Sequence, residues 1–132
     1  MMLKNEIITE TNFRPEEFDS TLIDLINNAS NGIAETKIII QVNGFFAEGT
    51  VISANNYFKI VAENHDEGQF QSYILGVAES LDKDPNPYPL FIHLVDVSFH
   101  SSTTGGAITF PLWRAKLKDI TGFTYGSFNK VD

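Results

Sequence analysis

The pair Asn43-Gly44 constrains the fold of this chain more than any other feature, because it stands between two β-rich runs, 37–42 and 45–53. Asn-Gly is the strongest two-residue signal for a tight β-hairpin. A two-residue turn pairs Val42 with Phe45, and this register decides which side chains share a face. One face is almost wholly apolar and is the predicted core face; it comprises Ile38, Ile40, Val42, Phe45, Ala47, Gly49 and Val51.

Three helical segments accompany the hairpin. The first is predicted from Pro15 to Ser30, with a stop at Asn31-Gly32. The second follows Ser53, whose hydroxyl can cap it. The third has the clearest apolar stripe, formed by Phe70, Tyr73, Ile74, Val77, Ala78 and Leu81. Alternate prolines between 85 and 89 cannot continue a helix and predict an extended connector.

The last third alternates as β-strands but changes its buried side. Ile92 and Leu94 share one face, whereas Val97 and Phe99 continue the opposite one. The run 108–118 repeats the change, and there Trp113 is predicted to be largely buried. A change of face in mid-strand predicts a bulge or a bend, as strongly curved sheets require. A turn over 119–122 and a final strand over 123–128 complete the prediction.

These elements predict the fold class. We expect an α+β domain with a strongly curved, small-barrel-like antiparallel sheet of about five strands, packed with about three helices. A chain of 132 residues is long enough for one domain. Residues 1–13 are interpreted as an N-terminal arm and residues 14–132 as the single domain.

Composition excludes several classes of protein. The chain has no cysteine, which excludes a disulfide framework and thiolate zinc sites. No apolar run approaches the roughly 18 residues of a membrane span, and the N-terminus lacks the apolar stretch of a signal peptide. We therefore expect a cytoplasmic protein without a membrane partner. The formal net charge of −8 argues against nucleic acid as a partner of the whole domain.

No arrangement of side chains predicts catalysis. The neighbours at 65–67 include a histidine and two acids, but adjacent helical residues point apart. His93, Asp96 and His100 lie on one predicted strand, where Asp96 and His100 share a face; two ligands are too few for a structural metal site. We interpret His93 as a partly buried histidine. The prediction is no catalytic, cofactor-binding or metal-binding residue, and a protein that is not an enzyme.

The charge is uneven along the chain. The net charge is −10 up to Leu112 and +2 from Trp113 onward. Arg114, Lys116 and Lys118 alternate on one predicted strand face. They are typical of a solvated edge strand, or alternatively of a docking patch for an acidic partner. Surplus aromatic residues favour a contact surface for another protein. The predicted partner-binding residues are Arg114, Lys116, Lys118, Phe46 and Phe110.

Three segments carry a family resemblance. They are a G-T-x-I-S-x-x-x-Y-F stretch beginning at Gly49, the run from Pro89 to Val97, and a W-R-x-x-L-x-x-I-x-G-F ending that begins at Trp113. In this order they resemble the gas vesicle accessory proteins of the U type, over roughly residues 18 to 128. The chain departs at Thr121, where an acidic residue is expected. The resemblance implies a soluble cytoplasmic factor that assists gas vesicle formation or clustering without catalysis.

The leading prediction is therefore a non-catalytic accessory protein with a protein partner. Gas vesicle components are the partners that the resemblance implies, and self-association is compatible with this prediction. Three alternatives stay open: an RNA-binding module with a small Sm-like barrel, a generic protein-interaction domain unrelated to gas vesicles, and a metal-dependent enzyme.

Overall fold

The structure is a computed structural model that describes residues 19–65, 68–83, 89–101 and 107–128. Within these ranges it contains α1 (Ser20–Ser30), β1 (Lys37–Val42), β2 (Phe45–Ile52), α2 (Ala54–Glu63), α3 (Gln69–Lys83), β3 (Phe91–Ser101), β4 (Ala107–Lys116) and β5 (Ile120–Tyr125). All strand pairs are antiparallel, in the order β4-β3-β2-β1-β5. The predicted α+β class, with three helices and five strands in the described ranges, is confirmed.

The hairpin has the predicted register. Val42 lies opposite Phe45, and the turn residues Asn43 and Gly44 have φ values of 50° and 82°. Both values are positive, as the turn type favoured by Asn-Gly demands. Four side chains of the predicted core face are fully buried; they are Ile38, Ile40, Ala47 and Val51.

Helix α1 begins at Ser20, because Asp19 is its N-cap and accepts hydrogen bonds from the backbone N–H groups of Thr21 (2.9 Å) and Leu22 (3.4 Å). The prediction of one helix from Pro15 is wrong at Asp19, whose backbone is extended (φ −73°, ψ 117°). Residues 15–18 of the predicted helix lie outside the described residues. The predicted stop is confirmed: Gly32, with φ of 72°, donates to the carbonyl of Ala29 over 3.2 Å and ends the helix.

The helices pack in two places. Helix α1 buries its apolar stripe against one face of the sheet, and this main core comprises Leu22, Leu25, Ile26, Ala29, Ile38, Ile40, Ala47, Val51, Ile92, Leu94, Val97, Ala115 and Leu117. Helices α2 and α3 form a separate apolar cluster with Phe58, Ala62, Ile74, Val77 and Ala78. Phe58 contacts the side chain of His93, which alternates with the core residues of β3, so this helix pair lies on the opposite face.

The predicted change of face is a β-bulge. Glu48 lies opposite Ser98, but Thr50 lies opposite Val95, so two residues of β3 face Gly49. One of these two is Asp96, whose φ is 55°. The extra residue turns the second half of β3 toward the main core, which confirms the interpretation of the alternating pattern.

The sheet is open yet curved. Strands β4 and β5 are its two edges, but only the three residues of the 3-10 helix Leu117–Asp119 join them. Five flat strands would place the edges at least about 19 Å apart. Lys116 and Ile120 also lie toward opposite ends of the strands, because Lys116 pairs with Phe91 and Ile120 pairs with Val42 beside the hairpin turn. Four steps of the chain, from Lys116 to Ile120, reach about 15 Å at most. The sheet must therefore be curled, although β4 and β5 are not paired with each other over the described residues.

The end of the chain differs from the prediction in two ways. The 3-10 helix Leu117–Asp119 ends the β4 alternation, so Lys118 does not belong to the strand. Strand β5 begins at Ile120 instead of residue 123 and pairs with β1, where Val42 lies opposite Ile120. The physical reason is long-range: the backbone N–H of Leu117 still donates to the carbonyl of Leu90, 2.8 Å away, and the Leu117 side chain is buried in the main core, so the chain turns only after this last contact at the start of β3.

Candidate functional site

One half of β4 is uncovered. Ala115 lies on the core face opposite Ile92 and is 9 % exposed. On the same face, Phe110 is 37 % and Ile108 62 % exposed. Directly paired residues share a face, and Phe110 lies opposite the buried Val97. The core side of the sheet is thus covered by α1 at one end of β4 and open at the other.

Aromatic rings line the boundary of this open region. The ring centroids of Phe99 and Trp113 are 4.7 Å apart, and those of Phe110 and Trp113 are 5.1 Å apart. Phe99 and Trp113 are partly buried against the main core, and Trp113, which was predicted to be largely buried, has intermediate exposure. Phe45 is exposed on the same face at the same end of the sheet. We call Phe45, Phe99, Ile108, Phe110 and Trp113 the open apolar patch.

The basic residues lie toward the other end of β4. The guanidinium carbon of Arg114 stands 4.0 Å from the ring centroid of Phe91 and 5.5 Å from that of Phe58, on the face that carries α2. These are cation–π contacts, which hold the Arg114 side chain against the sheet. Lys116 and Lys118 are exposed, the first at the end of β4 and the second in the 3-10 helix. We call these three residues the basic end of β4.

His93 is buried beside Arg114, as its pairing across β3 and β4 requires. Its ring lies 4.8 Å from that of Tyr57, and its Nε2 atom is buried without a hydrogen-bond partner. Burial first, and then the positive charge of Arg114, lower the pKa of His93 from 6.5 to about 3. The imidazole is therefore neutral at physiological pH. The prediction of a partly buried histidine is exceeded, since only 4 % of His93 is exposed.

Phe46 lies apart from the other predicted residues. It sits opposite His100, whose ring is 4.1 Å from that of Phe128. The backbone N–H of Phe128 donates to the Glu48 carboxylate over 2.5 Å, which holds the end of the described chain against this part of the sheet. Phe46 is 38 % exposed there.

The five predicted partner-binding residues thus do not form one surface. Phe110 and Arg114 belong to one strand but lie on opposite faces of the sheet. Phe46 lies opposite His100 of β3, and His100 lies opposite Ala107 of β4. Ala107 precedes Arg114 by seven residues, so Phe46 and Arg114 are separated by about 23 Å along the strand direction. Four of the predicted residues share β4 and the turn that follows it; Phe46 does not.

Sequence reasoning missed two members of the patch, Phe45 and Ile108. Both have the apolar character and the alternation of core residues, and Phe45 was assigned to the core face. Helix α1 has 11 residues, a length of about 16 Å, and cannot cover the whole length of the sheet. A comparison of helix length with strand length was the signal that could have found them.

A cavity and the placement of metal-ligating side chains bear on the chemistry of the described residues. Among them, no group of three or more His, Asp or Glu side chains is placed to hold a metal ion. A cavity of about 170 Å³ lies between α1 and β5 and is lined by Asp19, Leu22, Leu117, Ile120, Thr121, Gly122 and Phe123. Its carboxylate, from Asp19, is engaged in capping α1. No helix in the described ranges has the length and apolar character needed to cross a membrane.

The fold defines a small α+β protein in which an open, curved antiparallel sheet carries one helix on its core side and a helix pair on the other. A family model described as "Gas vesicle protein GvpU-like" matches residues 19–128, and the chain belongs to this GvpU-like family. The resemblance predicted from the three sequence segments is therefore confirmed. A comparison with curated proteins found no match.

Proposed function

We propose that this protein is a non-catalytic accessory protein of gas vesicles, which acts in the cytoplasm by binding a protein partner and so assists vesicle formation or clustering. The family places the chain among gas vesicle proteins. The observation that carries the mode of action is the uncovered half of β4, where apolar side chains are exposed, with the basic residues following toward the other end of the strand.

The open apolar patch supports a protein partner. Exposed apolar and aromatic side chains that adjoin one another mark interaction sites, and aromatic residues anchor interfaces. Ile108 is the most exposed residue of the patch, and Phe110 stands beside it on the rim of the aromatic cluster. Trp113 and Phe99 also pack on the main core, so they hold the exposed residues of the patch in place.

The basic end supports an acidic partner. Lys116 and Lys118 are exposed on a chain whose net charge is −8. A local positive region on an acidic protein orients an acidic partner and disfavours approach by the rest of the surface. Exposed charges steer best at low salt, because the Debye length is about 8 Å at physiological ionic strength. Binding should therefore weaken as salt rises.

A flotation assay tests this function directly. Gas vesicles are buoyant, so purified vesicles mixed with the purified protein and centrifuged gently should carry bound protein into the floating layer. We expect the wild-type chain to float with vesicles and to float less as salt is raised. The double variant Ile108→Ser/Phe110→Ser should stay in solution while retaining its circular dichroism spectrum.

A matched control removes an equally exposed aromatic residue elsewhere. Tyr73 lies exposed on α3, away from β4, and Tyr73→Ser should float as the wild type does. Equal flotation of all three proteins would remove the open apolar patch from the mechanism. Absence of wild-type flotation, together with retention on an RNA filter at low salt, would favour the RNA-binding alternative.

A further inference from the structure

We propose that β4 is an acceptor edge: it adds to the sheet an extended, antiparallel segment of the protein partner that is acidic in its first half and apolar in its second. This inference rests on the proposed function and states how the partner is held. Strand addition supplies affinity through main-chain hydrogen bonds, while alternate side chains supply specificity.

The first observation for an acceptor edge is the position of β4 in the sheet. Over the described residues β4 has a strand neighbour on one side only, which is β3. All five residues from 107 to 111 are exposed, and none of them is charged. Edge strands usually carry charges or prolines that discourage pairing, and this half of β4 has Pro111 alone. Its outward N–H and C=O groups are therefore available to an added strand.

The second observation is the order of apolar and basic side chains along β4, which indicates the chemistry of the added segment. No Asp or Glu occurs between Asp96 and Asp119, in a chain with 17 acidic residues. Along β4, the exposed apolar residues Ile108 and Phe110 come first and the basic end follows. A segment that runs antiparallel to β4 meets the basic end with its own first half, so that half should be acidic and the second half apolar.

A second copy of the chain fits this edge poorly. Two β4 strands paired with each other would leave Lys116 without a counter-charge, because the strand holds no acidic residue. The other edge, β5, fits the same partner less well, since residues 120–125 carry no charge and Asp119 precedes them. The complementarity therefore points to β4 and to a different, acidic chain.

The test uses the full chain and a synthetic peptide of ten residues, Glu-Thr-Glu-Thr-Thr-Val-Thr-Val-Thr-Val, acetylated and amidated at its ends. Backbone amide exchange measured by NMR should slow for outward amides of β4 when this peptide is added. A control peptide has the same composition with its halves exchanged. It should bind about tenfold more weakly, because its acidic half then lies beside the apolar patch.

A charge exchange sharpens the result. The variant Lys116→Glu/Lys118→Glu should bind the peptide about tenfold more weakly and should prefer the version in which Lys replaces both Glu residues. Both lysines are exposed, so the variant is expected to fold. Recovery of binding by the exchanged pair would show that the charges act across one interface and not through stability.

Several outcomes overturn the inference. They are unchanged exchange of β4 amides, protection of β5 in place of β4, and equal binding of both peptide orders. Protection of β4 in the free, dilute chain would show that residues 1–18 or another part of the same chain occupy the edge. Protection that grows with protein concentration would show a second copy. Vesicle flotation without peptide binding leaves the proposed function standing and removes the acceptor edge.

Discussion

Gly49 of β2 lies directly opposite the bulge that Asp96 makes in β3. A Cβ atom added to Gly49 would lie 3.3 Å from the Cβ of Leu94 and 3.3 Å from a methyl carbon of Val97. Both neighbours are buried in the main core and cannot move freely. The change of buried side that brings Val97 into the core therefore depends on a residue without a side chain on the neighbouring strand.

Gly49→Ala should lower the free energy of unfolding by about 1–3 kcal/mol, since an extra methyl group overpacks the core at this point. Urea denaturation monitored by circular dichroism measures the change. The control is Gly76→Ala in α3, where an added Cβ meets no atom within 4 Å and alanine is the better helix former. That variant should be about 1 kcal/mol more stable than wild type. A stable Gly49→Ala protein would contradict the close approach.

Asp96→Gly should keep or raise stability, because φ of 55° is a left-handed conformation that glycine adopts without a steric penalty. Asp96→Val should lower stability by about 2 kcal/mol, since a β-branched residue is strained there. Equilibrium unfolding of the two variants, compared at one pH, checks the order. A valine variant as stable as the glycine variant would show that the bulge residue carries no strain.

His93 should make the protein lose stability as the pH falls. The folded pKa of about 3 is below the unfolded value of 6.5, so the unfolded chain binds a proton that the folded chain refuses. The contribution of His93 is complete above pH 6.5 and declines as the pH falls toward 3, by about 1.4 kcal/mol per pH unit. His93→Phe should flatten the profile between pH 6.5 and 5, above the range where ordinary carboxylates titrate.

Unfolding free energies measured across that interval decide the point. His65→Gln is the comparison variant, because His65 lies exposed near the end of α2, where its Nδ1 is 2.7 Å from the carbonyl of Val61. An unchanged slope in His93→Phe would mean that another buried group causes the acid sensitivity.

Trp113→Ala should cost about 2 kcal/mol, less than the roughly 3–5 kcal/mol of a fully buried tryptophan, because Trp113 has intermediate exposure. Phe110→Ala should cost under about 1 kcal/mol, since this ring lies on the outer side of the cluster. Thermal melts of the two variants separate the structural residue from the surface residue. A larger loss for Phe110→Ala would place the boundary of the core differently.

Local signals predicted much of the fold. Asn43-Gly44 and two alternating runs determined the hairpin register, because a two-residue turn allows only one pairing. The phase change of the apolar residues after Leu94 predicted the bulge, because a buried face cannot switch without an extra residue. Gly32 predicted the end of α1 through its left-handed conformation.

The elements that escaped prediction depend on long-range contacts. The sequence pattern placed Lys116 and Lys118 on one alternating strand, but the 3-10 helix that begins at Leu117, whose side chain is buried in the main core, ends the strand between them. The exposure of Phe45 follows from the short reach of α1 and not from any property of its own position in the sequence. Sequence reasoning therefore identified the charged residues of the candidate site. It missed the residues whose exposure depends only on how far α1 covers the sheet.

The 3-10 helix Leu117–Asp119 limits the separation of the two edge strands of the sheet. Because this link joins the outermost strands, its number of residues limits how far apart those strands can lie and how flat the sheet can become. Leu117 is also buried in the main core, so the link is held in place by packing in the core that α1 covers. Inserting residues into the link would allow the outermost strands to move apart and the sheet to flatten. Every strand would keep its sequence, so insertion alone could change the curvature of the sheet.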